Sequence, residues 1–373
     1  MIIAGGGIGG MATALALHRA GLPFSVFERA PAFAEVGAGM SLWPNATRVL
    51  KSLGVLDQVF SVGEPVEWFN LLRPNGQRIS RICMSGFATP ALCLHRADLH
   101  RSLRACLPAD RIVGDQRLIS FTQDAGGVTA KFASGLEIDS AGLVGADGIN
   151  SIVRTQLHGT ISPTYRGYCI WRGIASTRQG ILRGHITETW GAGQRFGILP
   201  MGGDRICWYA TRNGPPSLPD APEGRKHEVL QLFKGWHRPI PELIESTEQS
   251  TIMKNDARDR QPLGRWGQGR VTLLGDAAHP ITPNVGQGAC MAIEDAACLV
   301  KSVLAAPSIA AGFCAYEAMR KGRTASVGRQ SRQIGAIGQW ENRWMVTGRN
   351  LVTRLVLSRT AGMSLNAVYA YEA

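Results

Sequence analysis

Hydrophobic positions change their period twice within the first 28 residues. Ile2-Ile3-Ala4 is a continuous apolar run, residues 11 to 20 carry apolar side chains at helical spacing after a glycine-rich turn, and Phe24-Ser25-Val26-Phe27 is apolar again. Short apolar runs bounded by turn residues read as buried strands and the longer periodic stretch as a helix, which stops at Gly21-Leu22-Pro23. The expected unit is strand, glycine turn, helix, strand. Further on, residues 66 to 84 alternate on either side of Pro74-Asn75-Gly76, and residues 128 to 138 give a second hairpin-like stretch. Residues 141 to 146 predict a buried strand ending in Asp147-Gly148. Residues 166 to 212, rich in Trp, Tyr, Ile and Gly at strand-like spacing, predict an antiparallel sheet rather than another crossover unit, followed by a proline-rich loop from Gly214 to Pro222. Val271-Thr272-Leu273-Leu274 is a continuous apolar strand running into Gly275-Asp276, and residues 288 to 304 read as a helix. From Ala311 to about Leu357 the pattern stays helical, with Ile334, Ile337, Trp340, Trp344, Leu351 and Leu355 as a loose apolar stripe.

Composition narrows the class. A chain of 373 residues, 45% hydrophobic and 18% charged, can bury a two-domain core and is too apolar for disorder. No run reaches the roughly 18 uncharged apolar residues of a membrane span. The sequence passes from Met1 straight into the first strand without a signal-peptide pattern, so a cytoplasmic location is expected. Eight cysteines are scattered without a C-x-x-C pair or a histidine at zinc-ligand spacing, which predicts reduced thiols and no metal site. The net charge of +12 is diffuse and lacks aromatic interleaving, so nucleic acid is not an expected partner. One concentration exists: Arg320, Lys321, Arg323, Arg329, Arg332, Arg343, Arg349, Arg354 and Arg359 face a single acid, Glu341. It reads first as a solvated helix face beside an acidic patch or a partner subunit, with a membrane-surface or acidic-ligand role as the alternative. The expected assembly is a monomer or homodimer.

The first chemistry lies in Gly5-x-Gly7-x-x-Gly10 between the first strand and helix, with Glu28 closing the second strand. Gly5 permits the tight turn, Gly7 lets a pyrophosphate approach the backbone, Gly10 lets the helix pack on the strand, and the helix start offers unpaired N–H donors. Ile8 and Gly9 complete the loop. Glu28 then accepts from the adenosine ribose hydroxyls, with Arg29 beside it. This loop does not by itself separate FAD from NAD.

A second constellation, Gly275-Asp276-Ala277-Ala278-His279-Pro280 followed by Pro283-Asn284-Val285-Gly286-Gln287-Gly288-Ala289, again joins a strand to a helix. With Gly145-Ala146-Asp147-Gly148 and Arg154 between the two, the chain resembles the para-hydroxybenzoate-hydroxylase-like flavoprotein monooxygenases, nearest to the urate hydroxylase, zeaxanthin epoxidase and aurachin-type members. The resemblance implies a discontinuous α/β architecture: a Rossmann-type FAD-binding domain (residues 1–68, 93–165 and 254–310), a β-sheet substrate domain (69–92 and 166–253) and a C-terminal helical segment (311–373). It implies that Asp276 bonds the ribityl chain of FAD, that the helix starting at Gly288-Ala289 points its amides at the flavin pyrimidine edge, and that Pro283, Gly286 and Gln287 line the same site. Arg96 matches the family's basic FAD contact. Ser41 and Arg48, in the stretch from Gly37 to Arg48, fall where the family lines the flavin; Leu118 falls near the adenine; and Asp147 with Arg154 helps bind FAD and NAD(P)H.

The implied activity is monooxygenation. NADPH or NADH, bound transiently, reduces FAD, O2 forms a flavin hydroperoxide, and a small electron-rich aromatic, heteroaromatic or polyene-like substrate is hydroxylated or epoxidised. A flavin-dependent reductase of the geranylgeranyl-reductase kind, or a non-catalytic flavin-binding protein, would share the FAD motifs. Arg172, Arg195 and Tyr209 are the expected substrate side, with the two arginines set among Trp171, Phe196 and Trp208 and in need of an anion unless Glu188 or Asp204 supplies it. His279, Cys290 and Cys298 are assigned to packing.

Overall fold

The structure, a computed structural model, describes residues 1–32, 38–175 and 180–371, and gives no side chain for 356–368. Gly37, ahead of the Ser41 stretch, and the side chains of Leu357 and Arg359 lie outside the described residues.

The continuous apolar runs become a five-stranded parallel sheet in the order Val271–Leu273, Leu143–Gly145, Ile2–Ala4, Ser25–Phe27, Ile112–Val113. Its central strands are buried, as parallel sheets covered on both faces must be. The helix Ile8–Arg19, buried along most of its length, packs against Gly288–Ala305, so the two glycine-led helix starts sit side by side at one end of the sheet. Ligands of open α/β sheets bind beyond these strand ends.

The alternating segments form a seven-stranded sheet in the order Met253–Asp259, Thr164–Ala175, Ile206–Asn213, Gln194–Pro200, His185–Trp190, Trp68–Leu72, Arg78–Cys83. It is antiparallel except between His185–Trp190 and Trp68–Leu72. Residues 254 to 259 pair with the strand Thr164–Ala175, so this stretch belongs to the second sheet and not to the cofactor domain as the sequence suggested. Strand alternation places Trp171, Phe196 and Trp208 on one face, over Val229, Phe233, Leu243 and Ile244 of the helices Arg225–Phe233 and Ile240–Glu245. Arg172, Tyr209, Arg195 and Glu188 share the opposite face through the register Arg172↔Tyr209↔Gly197↔Glu188. The arginines are therefore not set among those three aromatics, because a period of two sends neighbours in sequence to opposite sides.

The C-terminal stretch is two helices, Ile309–Gly338 and Arg343–Tyr369, rather than one. The break has a side-chain cause. Gln339 turns into the sheet, where its Oε1 accepts from Arg195 (2.9 Å) and Thr211 (3.0 Å) and its Nε2 donates to Asn213 (2.7 Å), while Asn342 Oδ1 accepts from the Trp344 and Met345 amides and starts the next helix. The expected apolar stripe fails with it: Ile337, Trp344, Leu351 and Leu355 are exposed. The basic cluster is also not one solvated face. Arg320 is buried and pairs with Asp295 (2.6 Å) and Glu294 (2.7 Å), Arg323 pairs with Glu294 (2.6 Å), Arg332 pairs with Asp259 (3.3 Å), and Arg349 is buried. Their acids come from other parts of the chain, which a local count of charges misses.

A candidate flavin site and the sheet facing it

The glycine loop is closed by backbone proximity. Gly5 has φ +107°, and a Cβ on it would run into the Ala146 carbonyl, so the first strand and the Asp147-Gly148 turn meet only because the side chain is absent. Glu28 is anchored at the end of the second strand: its Oε2 accepts from Gly6 N (2.7 Å) and its Oε1 from Ala30 N (3.0 Å). Two amides fix the carboxylate and leave lone pairs for further donors. Arg29 beside it is exposed, and Leu118 is buried. Arg96 opens the helix Arg96–Ala105 with its guanidinium lying along the loop at Gly7. Sequence reasoning missed His100, whose Nε2 stands 2.7 Å from the Gly6 carbonyl and whose pKa is lowered by burial.

Asp276 sits in the turn Gly275–Ala277 with no hydrogen-bond partner among the described residues. Solvent reaches it, yet the protein crowding it raises its pKa, against the pull of His279 and Arg96. Asp147 caps the helix Ile152–His158 through Oδ2, which accepts from Ile152 N (2.8 Å) and Val153 N (3.3 Å), whereas its buried Oδ1 has no partner among the described residues. Burial raises its pKa too. Arg154 lies beneath the site: its Nη1 donates to the carbonyls of Ala277 (3.0 Å) and Ala278 (2.9 Å), tying the Asp147-Gly148 turn to the Asp276 turn.

The helix Gly288–Ala305 begins without a side-chain cap and without an acid in its first turn. Gln287 is turned inward instead, its Oε1 accepting from Asn45 (2.9 Å), so only its backbone remains available to a ligand. Pro283 opens a short turn that ends in Gly286, where a Cβ would stand 2.7 Å from Ser41 Oγ and 2.8 Å from Trp43 Nε1. That indole N–H is buried and unpartnered. Arg48, expected at the flavin, donates to the carbonyls of Ala370 (3.2 Å) and Tyr371 (2.9 Å), because residues 369–371 return here and Tyr369 stacks on Trp43. Below the site, Asp295 accepts from Gly275 N (3.0 Å), stands 2.5 Å from His279 Nε2 and pairs with Arg320. These partners outweigh desolvation and hold the Asp295 pKa at about 2.

The polar face of the seven-stranded sheet looks toward this loop. Gly39 N lies 3.2 Å from Cys207 Sγ, and Tyr168 donates to Asn284 Oδ1 (3.1 Å). Arg195 is 2% exposed and fully engaged: it donates to Asn284 (2.6 Å), Gln339 (2.9 Å) and Glu188 (3.4 Å). The anion it was expected to need is Glu188, and Asp204 pairs instead with Arg183 (3.5 Å). Arg172 differs. Half-buried, it has among the described residues one long bond, to Asn255 Oδ1 (3.5 Å), and burial lowers its pKa against the pull of Cys207, Tyr168 and Tyr209. Tyr209 lies across Gly197 and is held a neutral phenol by burial, with the charge of Glu188 adding to it. Asn284, which no motif flagged as polar machinery, joins the two halves: its Nδ2 donates to Thr282 Oγ1 (2.8 Å) and the Ser331 carbonyl (3.0 Å) while its Oδ1 serves the sheet.

An uncapped helix start, an unpartnered Asp276, a spare Asp147 oxygen and a glycine cradle are the donor and acceptor set that a flavin dinucleotide requires. Comparison with known proteins agrees. Residues 1–327 match the FAD binding domain family, and the chain belongs to the FAD-dependent monooxygenases of that family. It is 41% identical to the aurachin C monooxygenase/isomerase of Stigmatella aurantiaca over 96% of this chain and 94% of that one. It is 33% identical to the 6-hydroxynicotinate 3-monooxygenase of Bordetella bronchiseptica over 93% and 92%. Among solved structures, Klebsiella pneumoniae HpxO complexed with FAD and uric acid superposes with TM-score 0.92 at 26% identity, covering 99% of this chain and 95% of that one. Its cofactor is FAD, and the monooxygenase reading stands over the reductase and the non-catalytic alternatives. No helix among the described residues is long and apolar enough to cross a membrane.

Proposed function

We propose that this chain inserts one atom of O2 into a small, electron-rich and acidic heteroaromatic held between the Pro283–Val285 turn and the polar face of the seven-stranded sheet. The balanced reaction converts substrate C–H, O2, NAD(P)H and a proton into substrate C–OH, NAD(P)+ and water. Bound FAD supplies the redox chemistry, accepting hydride equivalents from NAD(P)H and activating O2.

The protein's own residues bind, orient and exclude water. Glu28 would accept from the adenosine ribose hydroxyls, Gly5, Gly7, Ile8, Gly9 and Gly10 would hold the pyrophosphate beside Arg96, Asp276 would accept from the ribityl chain, and the Gly288 and Ala289 amides would stabilise the negative charge that flavin gains on reduction. Arg195 positions rather than binds: through Asn284 it fixes the turn that carries the flavin-facing backbone against the sheet. Substrate contact then falls to Arg172 and Tyr209. The single observation carrying this assignment is the contrast between a fully paired Arg195 and an Arg172 with one long bond. A guanidinium in a half-buried site stabilises the anionic form of a hydroxylated heteroaromatic, the form that reacts with electrophilic oxygen. The names of the relatives support that class, since 6-hydroxynicotinate and uric acid are both acidic heteroaromatics.

The test compares two variants with 6-hydroxynicotinate and urate as probe substrates. Arg172→Gln is expected to raise KM about tenfold, near 1.4 kcal/mol, or to divert NAD(P)H oxidation to hydrogen peroxide, with the flavin spectrum intact. Arg195→Gln is expected to lower the melting temperature as well, because Glu188 loses its partner in a buried site. Stimulated turnover with unchanged KM and coupling in Arg172→Gln would reject the assignment.

A further inference from the structure

We infer that the outer face of the last helix, over residues 343–355, is a docking surface for an anionic lipid bilayer. This is independent of the reaction proposed above. At about 100° per residue, Trp344, Met345, Leu351, Val352 and Leu355 fall within an arc of roughly 120°. The rest of the circumference of the same turns holds the helix down. Arg349 and Asn350 are buried, and Arg349 donates to the carbonyls of Ile337 (3.2 Å), Gly338 (3.0 Å) and Gly191 (3.1 Å) while its guanidinium covers the Trp190 ring. These anchors fix the rotation of the helix and aim the apolar arc away from the body. Trp344 is 85% exposed, Leu351 56% and Leu355 52%. A contiguous apolar ridge of this kind on a surface marks an interaction site.

The occupant follows from charge. Arg343 and Arg354, both exposed, border one edge of the ridge with Thr347 between them, and no Asp or Glu occurs from 343 to 355. An exposed Trp beside leucines, with arginines on the rim, is the side-chain set that seats at the boundary between acyl chains and anionic headgroups, the arginines extending to the phosphates. A second copy of the chain fits less well: two such ridges face to face gather four arginines with no acid from either segment, in a chain already at +12. The helix would lie on the membrane plane, since none of the described helices can span it.

The experiment is co-sedimentation of the FAD-loaded full chain with phosphatidylglycerol/phosphatidylcholine vesicles and, separately, with phosphatidylcholine vesicles. The expected result is partition onto the anionic vesicles only, weakened by salt, and reduced about tenfold or more by Trp344→Ser with Leu351→Ser, with melting temperature and flavin absorbance unchanged. Arg343→Gln with Arg354→Gln should remove the preference for anionic lipid. Should the serine variant prove unstable, quenching by brominated phosphatidylglycerol, read as the difference between the wild type and Trp344→Phe, reports the same contact. Equal sedimentation of wild type and serine variant, no binding to either vesicle, or a concentration-dependent dimer dissolved by the serine substitutions would each overturn the inference.

Discussion

The two sides of the flavin space are built by different means. On the proposed cofactor side the groups offered are mostly backbone: a glycine turn at Gly5, an uncapped helix start at Gly288, and two carboxylates, Glu28 and Asp276, at the ends of strands or turns. On the proposed substrate side they are set by side-chain register: Arg172, Tyr209, Gly197 and Glu188 come from four strands and meet only because the sheet pairs them. Backbone sites depend on short segments and therefore tolerate change elsewhere. Register sites depend on every partner at once, and here one of those partners, Gln339, comes from the far end of the chain.

The largest expected effect lies beneath both. Arg320→Ala removes the cation shared by Glu294 and Asp295 in a dry interior, and removing one partner of a buried ionic group costs about 3–5 kcal/mol. Denaturant unfolding of the variant should show that loss together with weakened FAD binding, because Asp295 also accepts from Gly275 N next to Asp276. A variant with wild-type stability would mean that the network is not what supports the Asp276 turn.

Next in size are Glu28→Ala and Asp276→Ala, which test the backbone side alone. Each removes a charged acceptor and should weaken FAD binding by about 1.5–3 kcal/mol in a flavin titration. The two should differ in one respect. Glu28 also accepts from Gly6 and Ala30 amides in the protein, so its loss should lower the stability of the apoprotein as well, whereas Asp276 has no protein partner among the described residues and its loss should not. Equal apoprotein stability in the two variants would break that distinction.

The same division explains what the sequence discloses. The βαβ unit ending at Glu28, the Gly275-Asp276 turn and the following helix are legible as structure because each resides in a few consecutive residues with a characteristic period. The hairpin around Asn75-Gly76 and the antiparallel sheet are legible from alternation. The partners of Arg195 were not legible, because Asn284 and Gln339 are 89 and 144 residues away and no local pattern announces them. Alternation alone could have separated Arg172 from Trp171, and Arg195 from Phe196, onto opposite faces. The bonds of Arg48 were not legible because residues 370 and 371 lie more than 300 positions away, and for Trp344 and Leu351 the missing information was the helix break at Gln339.

The smallest expected effect is a separation of two pH transitions, and it compares the acids of the two layers directly. Asp295 is held by His279 and Arg320 at about 2, below its ordinary 3.8, so the unfolded chain binds its proton first as pH falls. Its contribution to stability is complete above about pH 4 and is lost progressively as pH drops toward 2. Asp276 is shifted the other way, raised above 3.8 by the protein crowding it although solvent reaches it. Ribityl hydroxyls that donate to its carboxylate favour the ionised form, so by linkage FAD affinity falls as Asp276 takes up its proton, at a pH above the range in which Asp295 is protonated. On acidification, FAD release followed by recovered flavin fluorescence should therefore precede loss of helical circular dichroism, and Asp276→Asn should flatten the first transition without moving the second. Coincident transitions in the wild type, or a first transition unaltered in Asp276→Asn, would show that flavin is lost through unfolding rather than through this carboxylate.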